Sequence, residues 1–184
     1  MYLNTSRLSL REYIHSDWQA VLAYQSNPEY LEFNPWHQRK PTDVQKFVKM
    51  FVGWQQELPR VKFQLAIVLP DQNQLIGSCG VRKKQPNTHQ AELGYEIAPL
   101  YWGQGYATEA AQKMLDFGFE HLELHRVWAS CLAENKASAR VLERLGMKQE
   151  GCIRQNRWMK GRYWDTLIYG ILKHEWAELI NTDF

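Results

Sequence analysis

Apolar and polar positions alternate along residues 7–13 (RLSLREY), the period of a half-buried strand, and then the period changes. After Ser16, the residues Trp18, Val21, Leu22 and Gln25 fall on one helical face, which Asn27-Pro28 interrupts. A polar and aromatic loop follows (LEFNPWHQRKP). Val44, Phe47, Val48 and Phe51 then keep i, i+3, i+4, i+7 spacing, with Thr42 as the expected N-cap and a helix running to about Glu57. Strands are predicted over 61–69, 74–83 and 91–98, separated by turns at 70–73 and 85–89. Beyond Gly105 the small residues Ala107, Ala110, Ala111 and Gly118 share a helical face with Met114. A strand over 126–132, a helix over 136–145 closed by Gly146, and strands near 147–159 and 162–172 follow. A helical tail runs from 173 to about 179. This order predicts one domain over residues 1–184, an α/β fold whose mixed sheet has helices on both faces.

Composition narrows the function. The 184 residues are 45% hydrophobic and 23% charged, the balance of a folded domain rather than a disordered chain. A formal net charge of +2 is too small to draw in DNA or an anionic membrane by itself, so neither is expected as a partner. No apolar run reaches the roughly 18 residues of a membrane span. The first residues lack the apolar core of a secretory signal. Cys79, Cys131 and Cys152 form no CxxC pair and no zinc set. Buried reduced thiols, no metal site and a cytoplasmic location are the matching expectations.

The junction between the strand at 91–98 and the next helix reads IAPLYWGQGYATEA. Gly103 and Gly105 stand where the backbone must turn tightly, and the first amides of a helix have no intrahelical acceptor. Those amides lie at the positive end of the helix dipole and suit a phosphate. An ordinary tight turn is the competing reading. The dinucleotide fingerprint fails because position 108 is Thr, and no Gly-Lys-Ser/Thr follows for a Walker loop.

WGQGYATEA, followed by ENKASARVLERLGMKQEG, resembles the GNAT superfamily of N-acetyltransferases, and within it the ribosomal-protein serine/alanine branch. TSRLSLREY, LIGSCGV, AELGYEI and MKGRYWDTLIYGILKHEW stand in family order, so the resemblance covers most of the chain. It implies a seven-stranded, mostly antiparallel mixed sheet splayed between the fourth and fifth strands. It implies acetyl-CoA as co-substrate. The pyrophosphate would lie on Trp102, Gly103, Gln104, Gly105, Tyr106, Ala107 and Thr108, where Trp102 replaces the family's usual Gln or Arg. The pantetheine arm would lie along Ile97 and Ala98, with Asn135 and Ser138 nearby. Asn135 or Ser138 could equally be a helix cap. Phe33, Trp36 and His37 fall in the region that lies over the acceptor cleft in the family. Lys136 and Arg140 are candidates for the CoA 3′-phosphate, and Asp165 matches a recurrent family position. A monomer or homodimer is the family habit.

Acetyl transfer needs a neutral amine, a polarised carbonyl and a donor for the departing thiolate. Strand alternation puts Glu92, Gly94 and Glu96 on one face; by resemblance, Glu92 lies close to the general-base glutamate of the superfamily's histone-acetylating branch and is the candidate base, with Glu96 the other possibility. Ser138 is the candidate donor. No Cys-His-acid set stands at recognisable spacing, which favours direct attack. A free α-amine titrates near 7.7–8.0, so about a tenth is neutral at pH 7, against about one part in 2,000 for lysine. An α-amine suits such a site better, in agreement with the protein N-terminus that the resemblance implies as acceptor. A small-molecule or antibiotic amine is the alternative acceptor, and a non-catalytic acetyl-CoA sensor the alternative of another class. Arg154, Arg157, Lys160 and Arg162 crowd the last hairpin, either as edge protection or as a surface for acidic protein or RNA.

Overall fold

The structure, a computed structural model, describes residues 1–182. Its strands are β1 (Tyr2–Asn4), β2 (Ser9–Glu12), β3 (Lys62–Leu69), β4 (Gln74–Arg82), β5 (Gln90–Ile97), β6 (Arg126–Leu132), β7 (Lys148–Met159) and β8 (Arg162–Leu172). The helices are α1 (Trp18–Gln25), α2 (Pro28–Leu31), α3 (Pro41–Trp54), α4 (Tyr106–Glu120), α5 (Lys136–Arg144) and α6 (Lys173–Thr182). One sheet holds all eight strands in the order β1-β2-β3-β4-β5-β6-β8-β7, antiparallel except where β5 meets β6. The predicted mixed sheet is present, with eight strands instead of seven. The addition is β1, an edge strand in which Leu3 pairs with Leu10 of β2.

Alternation along β3 sorts the core into two layers. Leu65 and Ile67 join Met114 and Phe119 of α4, Leu142 of α5 and Trp176 of α6. Ala66 and Val68 join Val21 of α1 and Val44, Val48 and Phe51 of α3. Gly118, on the small-residue face of α4, brings that helix against Leu124 and Val127.

The parallel β5–β6 pair is short. It holds at Gln90 with Arg126, Ala91 with Val127 and Glu92 with Trp128, and then ends. Beyond it, β5 stays with β4 as far as Ile97, while β6 stays with β8 as far as Leu132. The sheet therefore opens after Glu92, which is the predicted splay.

Several local expectations need correction. Thr42 is not the cap of α3. Lys40 occupies that position, Asp43 accepts its amide at 3.1 Å, and Pro41 takes the first turn, where a missing N–H costs nothing. The helix ends at Trp54, not near Glu57. Asn27-Pro28 stops α1 but also starts α2, because Asn27 accepts the Glu29 amide at 2.8 Å. Cys79 and Cys131 are buried as expected, but Cys152 is exposed on the edge strand β7.

The β7–β8 hairpin is built with two devices. Lys160 and Gly161, both at positive φ, turn the chain, and the Lys160 ammonium donates to the carbonyls of Leu31 and Glu32. Between Ile153 and Arg157 the register slips, and Gln155 sits at φ 49°. Asp165 holds this bulge by accepting the Gln155 amide at 2.8 Å, and Thr166 accepts from the Asn156 amide group at 3.2 Å. Asp165 is thus a structural clamp. Among the described residues, no helix is long and apolar enough to cross a membrane.

Candidate active site

After β5 the chain makes a single 3₁₀ turn over Pro99–Tyr101 before α4 begins. The Trp102 amide is used there, donating to the Pro99 carbonyl at 3.1 Å. Glu109 is the first residue whose amide finds an acceptor in the new helix, the Gly105 carbonyl at 3.0 Å. Between them, the amides of Gly103, Gln104, Gly105, Tyr106, Ala107 and Thr108 meet no protein acceptor among the described residues. All six residues are exposed or half-buried. Gly103 at φ 74° and Gly105 at φ 83° make the turn possible, since a side chain at either would be strained. Donors in succession at a helix N-terminus form an anion cradle.

A clamp from the far end of the chain holds that turn. Glu109 accepts from the Thr5 hydroxyl at 2.6 Å, the Ser6 hydroxyl at 3.1 Å and the Arg7 amide at 2.9 Å. Its second oxygen takes the Arg7 guanidinium at 2.6–2.7 Å, and that guanidinium also donates to the Gln104 carbonyl at 3.0 Å. Burial alone would raise the Glu109 carboxyl, but the hydrogen bonds from Thr5, Arg7 and Ser6 hold it below the usual carboxylate value. Arg7 thus neutralises the one acid in the first turn of α4, where a bound anion would otherwise be repelled.

The splayed edge comes next. Ala98 donates to Ile76 of β4 at 2.7 Å, so by alternation Glu96 and Gly94 also turn their backbone groups to β4. Leu93, Tyr95 and Ile97 turn theirs to the gap. The predicted contact through Ala98 is therefore not available to its amide. The Ile97 carbonyl is occupied as well, by the Trp102 indole N–H at 2.7 Å. Trp102 thereby braces the strand end to the glycine turn.

Across the gap, Asn135 caps α5 by accepting the Ser138 amide at 3.0 Å. That cap presents the Ser138 hydroxyl 2.9 Å from the Tyr95 hydroxyl, which also donates to the Ser138 carbonyl at 2.9 Å. Burial pushes the Tyr95 phenol well up, so it stays protonated. Cys131, on β6 beside Ser138, is likewise pushed up by burial and remains a thiol. Sequence reasoning missed Tyr95. Its alternation with Glu96 along β5 was the available signal.

A cleft of about 370 Å3 joins this hydroxyl pair to the opposite side of the sheet, where Glu92, Gly94 and Glu96 share one face as predicted. A Cβ at Gly94 would lie 2.3 Å from the Arg82 guanidinium, so the Arg82 side chain would have to shift. Arg82 pairs with Glu92 at 3.7 Å. Glu96 accepts from the hydroxyl of Tyr24 at 2.6 Å, from the hydroxyl of Tyr30, and more weakly from Gln25. It so ties α1 and α2 to β5. Burial pushes its carboxyl up against those hydrogen bonds.

The predicted acceptor residues lie outside the lining of this cleft, although their neighbour Asn34 is part of it. Phe33 meets Trp164 edge-on at 6.3 Å. Trp36 packs under the Arg39 guanidinium at 4.0 Å, and His37 is exposed. Lys136 and Arg140 are exposed on α5.

This geometry has known counterparts. The family model described as "Acetyltransferase (GNAT) domain" matches residues 7–148. YnaD, an uncharacterised N-acetyltransferase of Bacillus subtilis, is 35% identical over 176 residues, covering 96% of this chain and 99% of that protein. A solved GNAT-family acetyltransferase from Bacillus anthracis is 31% identical with a TM-score of 0.83, covering 95% of this chain and 99% of that one. The [ribosomal protein uS5]-alanine N-acetyltransferase of Escherichia coli is 25% identical over 185 residues, covering 95% of this chain and 92% of that protein. The unpaired amides of the glycine turn, the splay and these similarities agree: the chain belongs to the GNAT family of N-acetyltransferases, with acetyl-CoA as co-substrate.

Proposed function

We propose that this enzyme moves the acetyl group of acetyl-CoA directly to an α-amine at the N-terminus of a protein or peptide. The observation that carries the reading is the single cleft in which Glu92, Glu96, Tyr95 and Ser138 all meet. The similarity to an enzyme named for a ribosomal-protein alanine supports the same acceptor class. Its cysteines, none paired, fit a reducing compartment such as the cytoplasm.

Each residue then has a role. The amides of Gly103 to Thr108 hold the pyrophosphate, and the backbone of Leu93 and Tyr95, with the Ile97 amide, pairs with the pantetheine arm. Bound acetyl-CoA supplies the activated thioester. An amide on this edge donates to the carbonyl oxygen as charge develops there. The amine's nitrogen forms the new C–N bond as the C–S bond breaks. With the Tyr95 proton committed to the Ser138 carbonyl, the Ser138 hydroxyl keeps its own proton for the departing sulfur. Glu92, on the open side of the cleft, takes the amine's proton through water. Cys131 stays out of the chemistry because its thiol is held protonated.

CoA-thiol release measured with three acceptors tests the reading: a peptide with a free N-terminal alanine, an N-acetylated peptide with one lysine, and spermidine. At pH 7 the free N-terminus is expected to be the best acceptor, with the lysine peptide about two-hundredfold slower from its smaller neutral fraction. Turnover confined to lysine or spermidine would overturn it.

Ser138→Ala is expected to lower kcat by about a hundredfold. Its dissociation constant for acetyl-CoA, read by calorimetry, is expected to stay close to that of the parent. An unchanged kcat would remove Ser138 from the mechanism.

Glu96 sets a pH dependence. Its pKa is raised on folding, so its contribution to stability is fully present below the ordinary carboxylate value of 4.5 and is lost as pH rises through the folded value. Glu96→Gln cannot ionise and escapes that loss. The melting temperature of the variant relative to the parent is therefore expected to rise between pH 4.5 and 7; a difference that stays flat across this range contradicts the assignment.

A further inference from the structure

Four cations crowd the β7–β8 hairpin, and the structure separates them. Lys160 is spent on the carbonyls of Leu31 and Glu32. Arg162 stacks on Trp164 at 3.4 Å and pairs with Glu134 at 3.6 Å. Arg154 is exposed and is not part of the cleft wall. Arg157 is exposed and lines the cleft, and its guanidinium has no hydrogen bond or ion pair among the described residues.

The backbone that delivers Arg157 is specially made. It is the residue at which β7 regains its register after the bulge, opposite Trp164. The bulge places Gln155, which is not a glycine, at φ 49°, a conformation that costs free energy unless the surroundings enforce it. Asp165 and Thr166 of β8 do enforce it, through the Gln155 amide and the Asn156 side chain. A bulge next to a site re-aims a side chain, and here the side chain re-aimed into the cleft is a guanidinium.

The other charges of the cleft already have partners. Glu92 faces Arg82, and Glu96 faces two tyrosine hydroxyls. Arg157 is therefore the unmatched charge on the wall. A polyamine acceptor, which carries further cations, would be repelled by it. A guanidinium in this setting suits a carboxylate, which it can meet with two parallel hydrogen bonds.

We propose that Arg157 determines acceptor specificity by pairing with an acidic side chain close to the acceptor amine, so that the preferred substrate is a protein N-terminus followed by Asp or Glu. The inference rests on the peptide reading above. It adds a charge preference to that reading and does not alter the transfer step.

Paired peptides separate the two. Each pair has the same free N-terminal alanine and differs only in Asp or Asn at positions two to four. The parent enzyme is expected to show a KM about fivefold lower for the acidic member, the scale of a partly exposed ion pair. Arg157→Gln is expected to bring the ratio of the two KM values to about one, Arg157→Glu to invert it, and Arg157→Lys to keep part of it. Turnover of both peptides by the parent with equal KM would overturn the inference while leaving the peptide reading standing. So would an Arg157→Gln enzyme that slows both peptides alike, the mark of a merely structural role. No turnover of any peptide, with turnover of spermidine, would overturn both. A melting-temperature shift with acetyl-CoA, measured on every variant, checks that each remains folded and binds the co-substrate.

Discussion

Six consecutive backbone amides leading into α4 need acceptors that the described residues do not supply. Elsewhere in a folded chain such donors are paired, and the next residue, Glu109, already is. The arrangement is maintained from both sides. Left-handed glycines at 103 and 105 hold the amides outward, and the N-terminal strand region grips Glu109 through Thr5, Ser6 and Arg7. The grip also answers an electrostatic problem. A carboxylate in the first turn favours the helix dipole but opposes a phosphate, and the Arg7 guanidinium cancels it where it stands.

The splay converts this cradle into a transferase site. Had β5 and β6 stayed paired beyond Glu92, the backbone groups of Leu93, Tyr95 and Ile97 would be spent on the sheet. Because they are not, apart from the Ile97 carbonyl that Trp102 takes, the same strand is free, on the proposed reading, to serve both partners of the reaction. One of its faces carries Tyr95 to the Ser138 hydroxyl, and the other carries Glu92 and Glu96 to the acceptor side. The proposed base Glu92 and Tyr95, the partner of Ser138, are thus placed by strand alternation on a rigid element rather than by a mobile loop.

Much of this was legible in the sequence because it is local. The helical period of α4, the glycine pair, the cap at Asn135 and the shared face of Glu92 and Glu96 are short-range patterns, and the structure keeps them. What was hidden is long-range. The Arg7–Glu109 clamp joins residues 102 apart, and the Tyr95–Ser138 pair joins residues 43 apart. No period in either segment announces its partner. Thr42 looked like a cap by residue type, but Pro41 set the helix start two residues earlier, with Lys40 as its cap. Trp36 and His37 looked like cleft residues by position. In the fold Trp36 is taken up by Arg39, and His37 points to no part of the cleft wall. The Asp165 clamp could not be assigned from sequence because the bulge it holds exists only once β7 and β8 have paired.

The central claim is that the amides of Gly103 to Thr108 receive the twin phosphates of the co-substrate. Amide-resolved NMR of the nitrogen-15-labelled enzyme, titrated with acetyl-CoA, addresses those donors one by one. Large shifts and slowed solvent exchange at all six, saturating together with binding, are the result expected. Saturable binding that leaves these six resonances where they were would contradict the account.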